Sequence, residues 1–599
     1  MIVNIRFSGD SGDGIQILGN KVAEMFAESG NNIQTFSNFP ADIRAPIGSL
    51  SGISEFQICF SNDVIYSVND KLDVLISINP AALRCNLFDL KNNGILIIDI
   101  DKFIDREFIK AKYQVNPLDH LHDKYNIIPI SITNCVLKSM KNFKSNLKII
   151  KKTRNIFILG LICWMYNKSL NIPLKWIENK FKNSYIEIIN KIALRIGYNY
   201  SFTTNLLIKS YYIPSAKLIC GIYRQLSGNY GFILGCLTIT KRSNLSLYIA
   251  CYPITPASDI LHELSKYPNY NIITMQLEDE IAAICAAIGA SYGGSLACTF
   301  TSGPGFDLKT EAIGLAVMTE LPLVIVNIQR SGPSTGIPTK SEQTDLLSAI
   351  FSRHGECPLV VLAPKSSKNC FSIIIKAFKI SIKYMTPVII LSDGIIANCT
   401  EQWKIPEINS INFINYNFLN EKNDINKRNE ITLSKTWIKP GTKNLEYCIG
   451  GLERNYETGT VCYESYNHQK MCEIRKNKIN KIKLDITKTK IIGKNYGYML
   501  LFTWGSSYGA SRTVINKLQN ECYNISLVNI KYLNPLPDDL LSISKNFVLL
   551  ACIEANLGQL QFILKSYLLR DIILIGNVYG KSLSYNFLKE KILINMKGK

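Results

Sequence analysis

Five short stretches of the chain gather side chains suited to catalysis and ligand binding. YPITPASDI, Tyr252–Ile260, sets Thr255 between two prolines directly after the apolar run Leu247–Ala250. Proline fixes φ and disfavours helix in the residue before it. The pattern therefore reads as a strand that stops abruptly, a rigid turn carrying Tyr252, Pro253 and Thr255, and a helix starting at Ala257 or Ser258. MQLEDEIAAICAAIGASYGG, Met275–Gly294, places Glu278, Asp279 and Glu280 at the head of a helix of small residues. Acids in a first turn complement the helix dipole, which is their ordinary role. Ala282, Ala283, Ala286, Ala287, Gly289 and Ala290 also permit very close packing, and an acid aimed into such a dry interface would be a proton carrier with a raised pKa. TFTSGPGFDLKTEAIGLA, Thr299–Ala316, reads as strand, turn and helix, with Thr301, Ser302 and Gly303 at a concave backbone edge. NIQRSGPSTGIPTKSEQTDL, Asn327–Leu346, puts Arg330 between a buried strand and a hydroxyl-rich loop containing Thr339. Arginine suits a bidentate carboxylate contact. A lone arginine at a strand end is usually a surface ion pair, but here Thr255, Glu280 and Ser302 fall at the same sheet edge. The fifth stretch, SGDSGDGI, is a strand–helix loop whose Gly9, Gly12 and Gly14 would offer backbone N–H groups to a phosphate. Glycine is permissive enough that a plain tight turn explains it equally well.

The elements needed to position these residues follow from the apolar pattern. Residues 1–190 open as strand, Gly-rich loop and helix, with further strands at Val74–Ile78 and Ile95–Ile100, an α/β layer pattern. Residues 191–245 read as a linker ending in an amphipathic helix near Asn229–Thr240. Between 246 and 400, runs such as LSLYIAC, LACTFT, LPLVIVNI and TPVIILSD are apolar almost throughout, as expected of parallel strands covered on both faces. In such a doubly wound sheet the Arg330 loop lies at the carboxyl ends of the strands, where ligands bind. Residues 401–485 are polar, rich in Asn and Lys and poorly periodic, and read as a connector. Residues 486–599 form a last α/β unit, with a helix at Ala510–Glu521 and another at Gln559–Leu569. The fold class is multidomain α/β.

Composition narrows the function classes. The chain has 599 residues, too many for one core, and is 47% hydrophobic, hence globular. Its net charge of +20 comes from 67 basic and 47 acidic residues. The basic residues are scattered among Asn and Ile, as in KNKINKIKL, without the aromatic-interleaved stripe of a nucleic-acid footprint. No apolar run approaches a membrane span, and MIVNIRF reads as a first strand rather than a signal peptide. The expectation is a cytoplasmic protein without a nucleic-acid or membrane partner. Of 17 cysteines, the closest two, Cys462 and Cys472, are ten apart, so no zinc or iron–sulfur site is expected in this chain. A dinucleotide site would need G-x-G-x-x-G, and Gly9, Gly12 and Gly14 have the reverse spacing. Gly12-Asp13-Gly14 also opens the motif that holds Mg²⁺ and the pyrophosphate in thiamine enzymes. That motif requires an Asn some 24–27 residues on; Asn31 and Asn32 come too early and Asn38 follows 23 intervening residues, so no metal site is expected there.

Taken together, the stretches resemble the α subunit of the 2-oxoacid:ferredoxin oxidoreductases in the form with a γ domain fused at its N-terminus, and the 2-oxoglutarate type most. YPITPASDIL, EDEIAAICAAIGAS, TSGPGFDL and QRSGPSTGIPTKSEQTDL carry the likeness most specifically. GDSGDGIQ and FPADIRAP resemble the γ domain; FTWGSSYGA, LNPLPDDLL and IEANLGQL resemble a transketolase-like C-terminal domain. GLERNYETG and NHQKMCEIRKNKI resemble the connector, although Arg454 stands where the family pattern has His. The resemblance implies that residues 246–400 bind the aminopyrimidine of thiamine diphosphate through Glu280, Tyr252, Pro253, Thr301, Ser302 and Gly303. Glu280, nine residues before Gly289, would hydrogen-bond N1′ and promote deprotonation of the thiazolium C2; Glu278 is its rival. Thr255, Arg330 and Thr339 would meet the 2-oxo acid. The implied reaction is oxidative decarboxylation of 2-oxoglutarate with CoA to succinyl-CoA and CO₂, with electrons passing to ferredoxin. A partner β subunit would supply the pyrophosphate/Mg²⁺ domain and the iron–sulfur cluster in an (αβ)₂ assembly, and the Gly9–Gly12–Gly14 loop would receive CoA phosphates. The alternatives are a pyruvate-type subunit, a non-catalytic scaffold, whose Glu280, Thr255 and Arg330 would be expected to decay, and a dinucleotide oxidoreductase.

Overall fold

The computed structural model describes residues 2–40, 45–68, 71–140, 150, 152–182, 184–204, 210–416, 418–419 and 425–597. Ala41–Arg44 of the FPADIRAP stretch lie outside them. The chain divides into two compact units, Met1–Gln225 and Leu226–Lys599.

In the first unit the strands β1 (Ile2–Asp10), β2 (Asn32–Asn38), β3 (Ile53–Ser61), β4 (Leu72–Ser77), β5 (Leu90–Asp99) and β6 (Asn126–Ile130) are ordered β6-β5-β4-β1-β3-β2. The β1–β4–β5–β6 pairs are parallel, and β3 runs antiparallel to both β1 and β2. Helix α1 (Ile15–Glu28) follows the Gly-rich loop. Helices α2 (Arg154–Met165) and α3 (Tyr185–Thr204) meet at two glycines. An added Cβ would lie 2.1 Å from the Leu194 carbonyl oxygen at Gly160, and 1.9 Å from that of Phe157 at Gly197. Helix α3 runs through the boundary expected at 190, so the segment read as linker begins inside a helix.

The second unit is built on a seven-stranded sheet. Its strands are β7 (Leu247–Cys251), β8 (Ile272–Gln276), β9 (Leu296–Thr301), β10 (Leu323–Gln329), β11 (Val360–Leu362), β12 (Pro387–Asp393) and a late strand, Tyr532–Asn534. The order is Tyr532–Asn534, β11, β12, β10, β9, β7, β8, all parallel except the first pair. Alternate residues of each inner strand enter two different cores. Ile249, Cys298, Phe300, Val324 and Val326 pack on one face, and Ala250, Ala297, Ile325, Ile389 and Leu391 on the other. This two-sided burial is why the runs carry no polar alternation. Helix α4 (Gly228–Ser243) covers the first face with Phe232, Ile233, Cys236 and Ile239.

The C-terminal segment forms its own five-stranded sheet and also extends the central one through Tyr532–Asn534. Leu500, Phe502, Trp504, Leu550 and Cys552 join the second face of the central sheet in one core. Trp504 and Glu554 are fully buried. The Glu554 carboxylate accepts from the backbone N–H groups of Leu560 and Gln561 at 2.9 and 3.0 Å, satisfying donors at the start of the helix Gln559–Leu568.

The connector differs from its sequence reading. It contains a 17-residue helix, Ser465–Lys481, whose buried residues include Asn467, Met471, Arg475 and Lys478. The helical period is present but carried mainly by polar side chains, so a hydrophobic pattern does not reveal it. These side chains bury because they are paired. Arg475 donates to Glu453 at 3.1–3.2 Å, and Glu320 accepts from Arg428 at 2.6 and 2.8 Å and from Lys478. Burial alone would raise the Glu320 pKa; Lys478 and Arg428 instead hold it well below the usual carboxylate range. A depressed carboxylate contributes stability that is fully present above its unfolded pKa, about 4.3, and is lost as the pH falls below that. Glu320→Gln leaves two cations facing a neutral amide, which should cost the second unit about 3–5 kcal/mol. Scanning calorimetry should show its transition moved down at neutral pH, with the gap to the wild type narrowing as the pH falls below about 4.3.

Candidate active site

The central sheet changes direction at β7. The chain leaves β7 for β8 on one side and crosses back to β9 on the other, so the crevice at the carboxyl ends of β7 and β9 is a topological switch point. The loops at this edge carry Tyr252, Pro253 and Thr255 after β7, Glu280 after β8, Thr301–Gly303 at the end of β9, and Arg330 after β10. The helix after the proline turn is Ser258–Leu264.

The three adjacent acids have separate fates. Asp279 caps the helix Glu280–Tyr292, its carboxylate accepting from the Ala282 N–H at 2.7 Å. Glu278 is exposed. Glu280 is 7% exposed. No hydrogen bond is made by the Glu280 carboxylate among the described residues. It lies against Gly305, where an added Cβ would fall 2.6 Å from Glu280 Oε1 and 2.5 Å from Thr301 Oγ1. Glycine is required here because the carboxylate occupies the space a side chain would need. The buried side of this helix is Ala283, Ile284, Ala287, Ile288 and Ser291. Gly289 faces outward with nothing within 4 Å of an added Cβ, so the close packing expected around it is not made among the described residues.

Arg330 is 8% exposed and donates through Nη1 to the Thr255 carbonyl oxygen at 2.9 Å. This bond fastens the proline turn to the end of β10. The Thr255 side chain is exposed, and Tyr252 is exposed beside it. Arg330 Nε, Ser331 Oγ and Thr339 Oγ1 are buried atoms without a hydrogen-bond partner among the described residues. The Ser331 N–H bonds to the Lys340 carbonyl at 3.0 Å, which closes the loop and returns Thr339 toward Arg330. Three orphaned polar atoms on one loop are what a polar ligand would satisfy. Ser302 is used internally: its hydroxyl donates to the Ile328 carbonyl at 2.8 Å, which ties β9 to β10.

Two further residues were not singled out from the sequence. Asp345 accepts from Asn327 Nδ2 at 2.8 Å, sits 3.4 Å from an added Cβ at Gly303, and is pushed up to about 6 by burial. Lys309 is fully buried and donates to the Glu280 carbonyl oxygen at 2.6 Å. A partial signal was present: Phe306, Lys309, Ile313 and Ala316 repeat at helical spacing, which puts the lysine in an apolar row.

The Gly9–Gly12–Gly14 loop, in the first unit, is fastened by its own acids. Asp13 accepts from the Asp10 N–H at 3.2 Å, and Asp10 accepts from the Gly48 N–H at 3.0 Å. Arg154 bridges Asp13 at 3.1 Å and Asp99 at 3.5 Å; Asp99 is pushed up to about 6 by burial despite this cation.

Residues 244–478 match the family described as pyruvate flavodoxin/ferredoxin oxidoreductase, thiamine diphosphate-binding, and residues 4–200 match pyruvate ferredoxin/flavodoxin oxidoreductase. The chain is 42% identical to the 2-oxoglutarate oxidoreductase subunit KorA of Mycobacterium tuberculosis, over 97% of this chain and 89% of that one. It is 27% identical to a 2-oxoacid:ferredoxin oxidoreductase subunit alpha of Sulfolobus, over 94% of this chain and 92% of that one. Its fold superposes on the 2-oxoglutarate:ferredoxin oxidoreductase of Magnetococcus marinus, solved with 2-oxoglutarate, coenzyme A and succinyl-CoA bound. The TM-score is 0.88, at 27% identity over all of both chains. The chain belongs to the 2-oxoacid:ferredoxin oxidoreductase α-subunit family.

This α subunit thus carries a thiamine-diphosphate-binding domain in a multi-subunit oxidoreductase. The residues present fit that cofactor's pyrimidine end. A buried carboxylate that makes no hydrogen bond among the described residues, cradled by a glycine, is an acceptor awaiting a donor. Among the described residues no three His, Cys, Asp or Glu side chains converge as a metal site, and no helix is long and apolar enough to cross a membrane.

Gly305→Ala tests the cradle. The new methyl must displace Glu280 or Thr301, and a misplacement of about 1 Å costs roughly 10²-fold in rate. Steady-state kinetics of the assembled enzyme should show that loss in kcat/KM while thermal melting stays near the wild type.

Proposed function

We propose that this chain is the α subunit of a 2-oxoglutarate:ferredoxin oxidoreductase, which converts 2-oxoglutarate and CoA to succinyl-CoA and CO₂. Two electrons leave singly for ferredoxin. The observation that carries the reading is the buried Glu280 carboxylate at the switch-point crevice, which makes no hydrogen bond among the described residues, with Arg330 Nε and Thr339 Oγ1 likewise without a partner among them on the adjacent loop. The likeness to KorA and to the Magnetococcus enzyme supports 2-oxoglutarate as substrate.

Bound thiamine diphosphate supplies the nucleophilic carbon and the electron sink for decarboxylation. Glu280 holds the aminopyrimidine at N1′ and exchanges a proton there, in a site dry enough for the exchange to stay directional. Tyr252, Pro253, Thr301, Ser302 and Gly303 shape the walls of the pyrimidine pocket. Arg330 and Thr339 take a substrate carboxylate, and the hydroxyl-rich loop Ser331–Lys340 suits the second carboxylate of a dicarboxylic oxo acid. Thr255 meets the oxo-acid head from the proline turn that Arg330 fastens. Arg154 and the loop of Gly9, Gly12 and Gly14 are the elements of the first unit that receive CoA phosphates.

The partner is a β subunit carrying the pyrophosphate/Mg²⁺ domain and an iron–sulfur cluster, in an (αβ)₂ assembly in the cytoplasm. The working division of this chain is a γ-like domain to about 190, a link to 245, the pyrimidine domain to 400, a connector to 485 and the transketolase-like segment beyond.

The decisive experiment is single-turnover decarboxylation by the reconstituted complex. Glu280→Gln is nearly isosteric but cannot exchange the proton, and should lose about 10²–10⁴ in rate with assembly intact. Glu278→Gln, altering an exposed side chain, should remain close to the wild type. A reversed outcome would reassign the carboxylate. Comparison of kcat/KM for the two acids should favour 2-oxoglutarate over pyruvate; a clear pyruvate preference would make the chain a pyruvate-type subunit.

A further inference from the structure

A cavity of about 260 Å³ lies between residues 318–321, which lead toward β10, and the connector segments 435–438, 446–449 and 452–454. It lies at the start of β10, whereas Arg330 follows the end of that strand. The seven residues of β10, at about 3.3 Å each, place the two roughly 20 Å apart, so the cavity is separate from the switch-point crevice. None of its lining residues belongs to the machinery assigned to the reaction.

Charge around this cavity is unbalanced. Among the described residues its carboxylates are Glu320, Glu446 and Glu453. Glu320 already accepts from Arg428 and Lys478, Glu453 accepts from Arg475, and Glu446 is exposed. Lys435 and Arg454 also line the cavity, both partly buried. Neither the Lys435 ammonium nor the Arg454 guanidinium makes a hydrogen bond or an ion pair among the described residues. Burial lowers the Lys435 pKa; Glu320 raises it, and Arg428, Arg454 and Lys478 lower it further. Two cations satisfy Glu320, so Lys435 and Arg454 stand in excess, near enough to repel each other. Withdrawing a cation from water is costly unless an anion offsets the loss.

We propose that this cavity is a binding site for a short organic dianion, a dicarboxylate whose charges are met by Lys435 and Arg454. The planar guanidinium matches a carboxylate, and the ammonium supplies a point charge beside it. Thr436 and Thr460 add hydroxyls to the lining, while Leu321, Ile438 and Ile449 give it apolar wall, which suits a hydrocarbon body rather than an inorganic oxyanion. At about 30 Å³ for each water-sized group, the volume holds roughly eight or nine non-hydrogen atoms, the size of a dicarboxylate of about four or five carbons. A bound dianion neutralises the mutual repulsion of the cations and joins the connector to the amino end of β10, so occupancy stabilises the second unit by mass action.

The test uses the assembled enzyme. Succinate, glutarate and inorganic phosphate are titrated calorimetrically into the wild type, Lys435→Met, Arg454→Gln and Arg330→Met, with thermal melting alongside. Arg330→Met separates binding at the crevice from binding in the cavity. Saturable dicarboxylate binding should persist in Arg330→Met and weaken about tenfold or more in Lys435→Met and in Arg454→Gln, as expected for loss of a charge-assisted contact. Added dicarboxylate should raise the melting temperature of the wild type and of Arg330→Met, and do so far less in the other two. Without ligand, Lys435→Met should melt at or above the wild type, because an unpaired, partly dry cation has been removed. Arg454→Gln carries the comparison should Lys435→Met fail to assemble. Dicarboxylate binding that is absent, that disappears only in Arg330→Met, or that both connector variants retain at wild-type strength would overturn the proposal. Phosphate bound as tightly as either dicarboxylate would overturn it too, leaving a site for simple oxyanions.

Discussion

A carboxylate can be kept out of water only if the surrounding fold fixes what it faces, and much of the second unit meets that constraint for Glu280. Asp279 spends its own carboxylate on the helix cap, leaving Glu280 free of that duty. Gly305 leaves the volume that the carboxylate fills. Lys309 grips the main chain of Glu280 from below, and Arg330 pins the proline turn across the crevice. Asp279 adjoins Glu280 in the chain, but Gly305, Lys309 and Arg330 come from segments distant from it in sequence. They meet because parallel strands deliver their loops to one edge, and that edge exists because the strands are buried on both faces.

The same logic explains the place of the C-terminal segment. The loop after Arg330 is long and polar and would be mobile if held only at its start. Its far end is fastened through Gln343, which is fully buried. Gln343 donates to the Trp504 carbonyl at 2.9 Å, accepts from the Ala555 N–H at 2.8 Å, and through its own carbonyl accepts from Asn556 at 2.6 Å. The second sheet thus shares a core with the first and also clamps the loop bearing Thr339. The stretches FTWGSSYGA and IEANLGQL, which contain no obvious catalytic side chain, position that loop at a distance.

Legibility in the sequence followed the physics of each feature. Strand runs were visible because burial on two faces leaves continuous apolar letters. The turn at Thr255 was visible because proline restricts its neighbours. Glu280 could be told from Glu278 only by likeness to a family, since both lie near a helix start; burial separates them, and burial depends on Gly305 in a distant segment. Lys309 escaped because one lysine among apolar residues is easily read as a solvated interruption. The helix Ser465–Lys481 escaped because its buried face is Asn467, Arg475 and Lys478 beside Met471, paired with acids far away in sequence. Ser302 was expected among the cofactor-binding residues, and the bond that ties its hydroxyl to the Ile328 carbonyl is a tertiary fact.

What this chain leaves uncovered is as informative as what it buries. Tyr252 and Thr255 are exposed at the crevice, and Ile281, Cys285 and Gly289 form an exposed row on the helix that Glu280 opens. A proton carrier works best in a closed, low-dielectric site, and an oxo acid undergoing decarboxylation must be kept from bulk water. One side of the pocket is built to that standard, with Glu280, Lys309 and Asp345 withdrawn from solvent; the other side is open. Under the proposed reading, this exposed row is the face that another subunit completes. In that reading the reaction is divided, with this chain holding the pyrimidine and a partner handling charge and electrons.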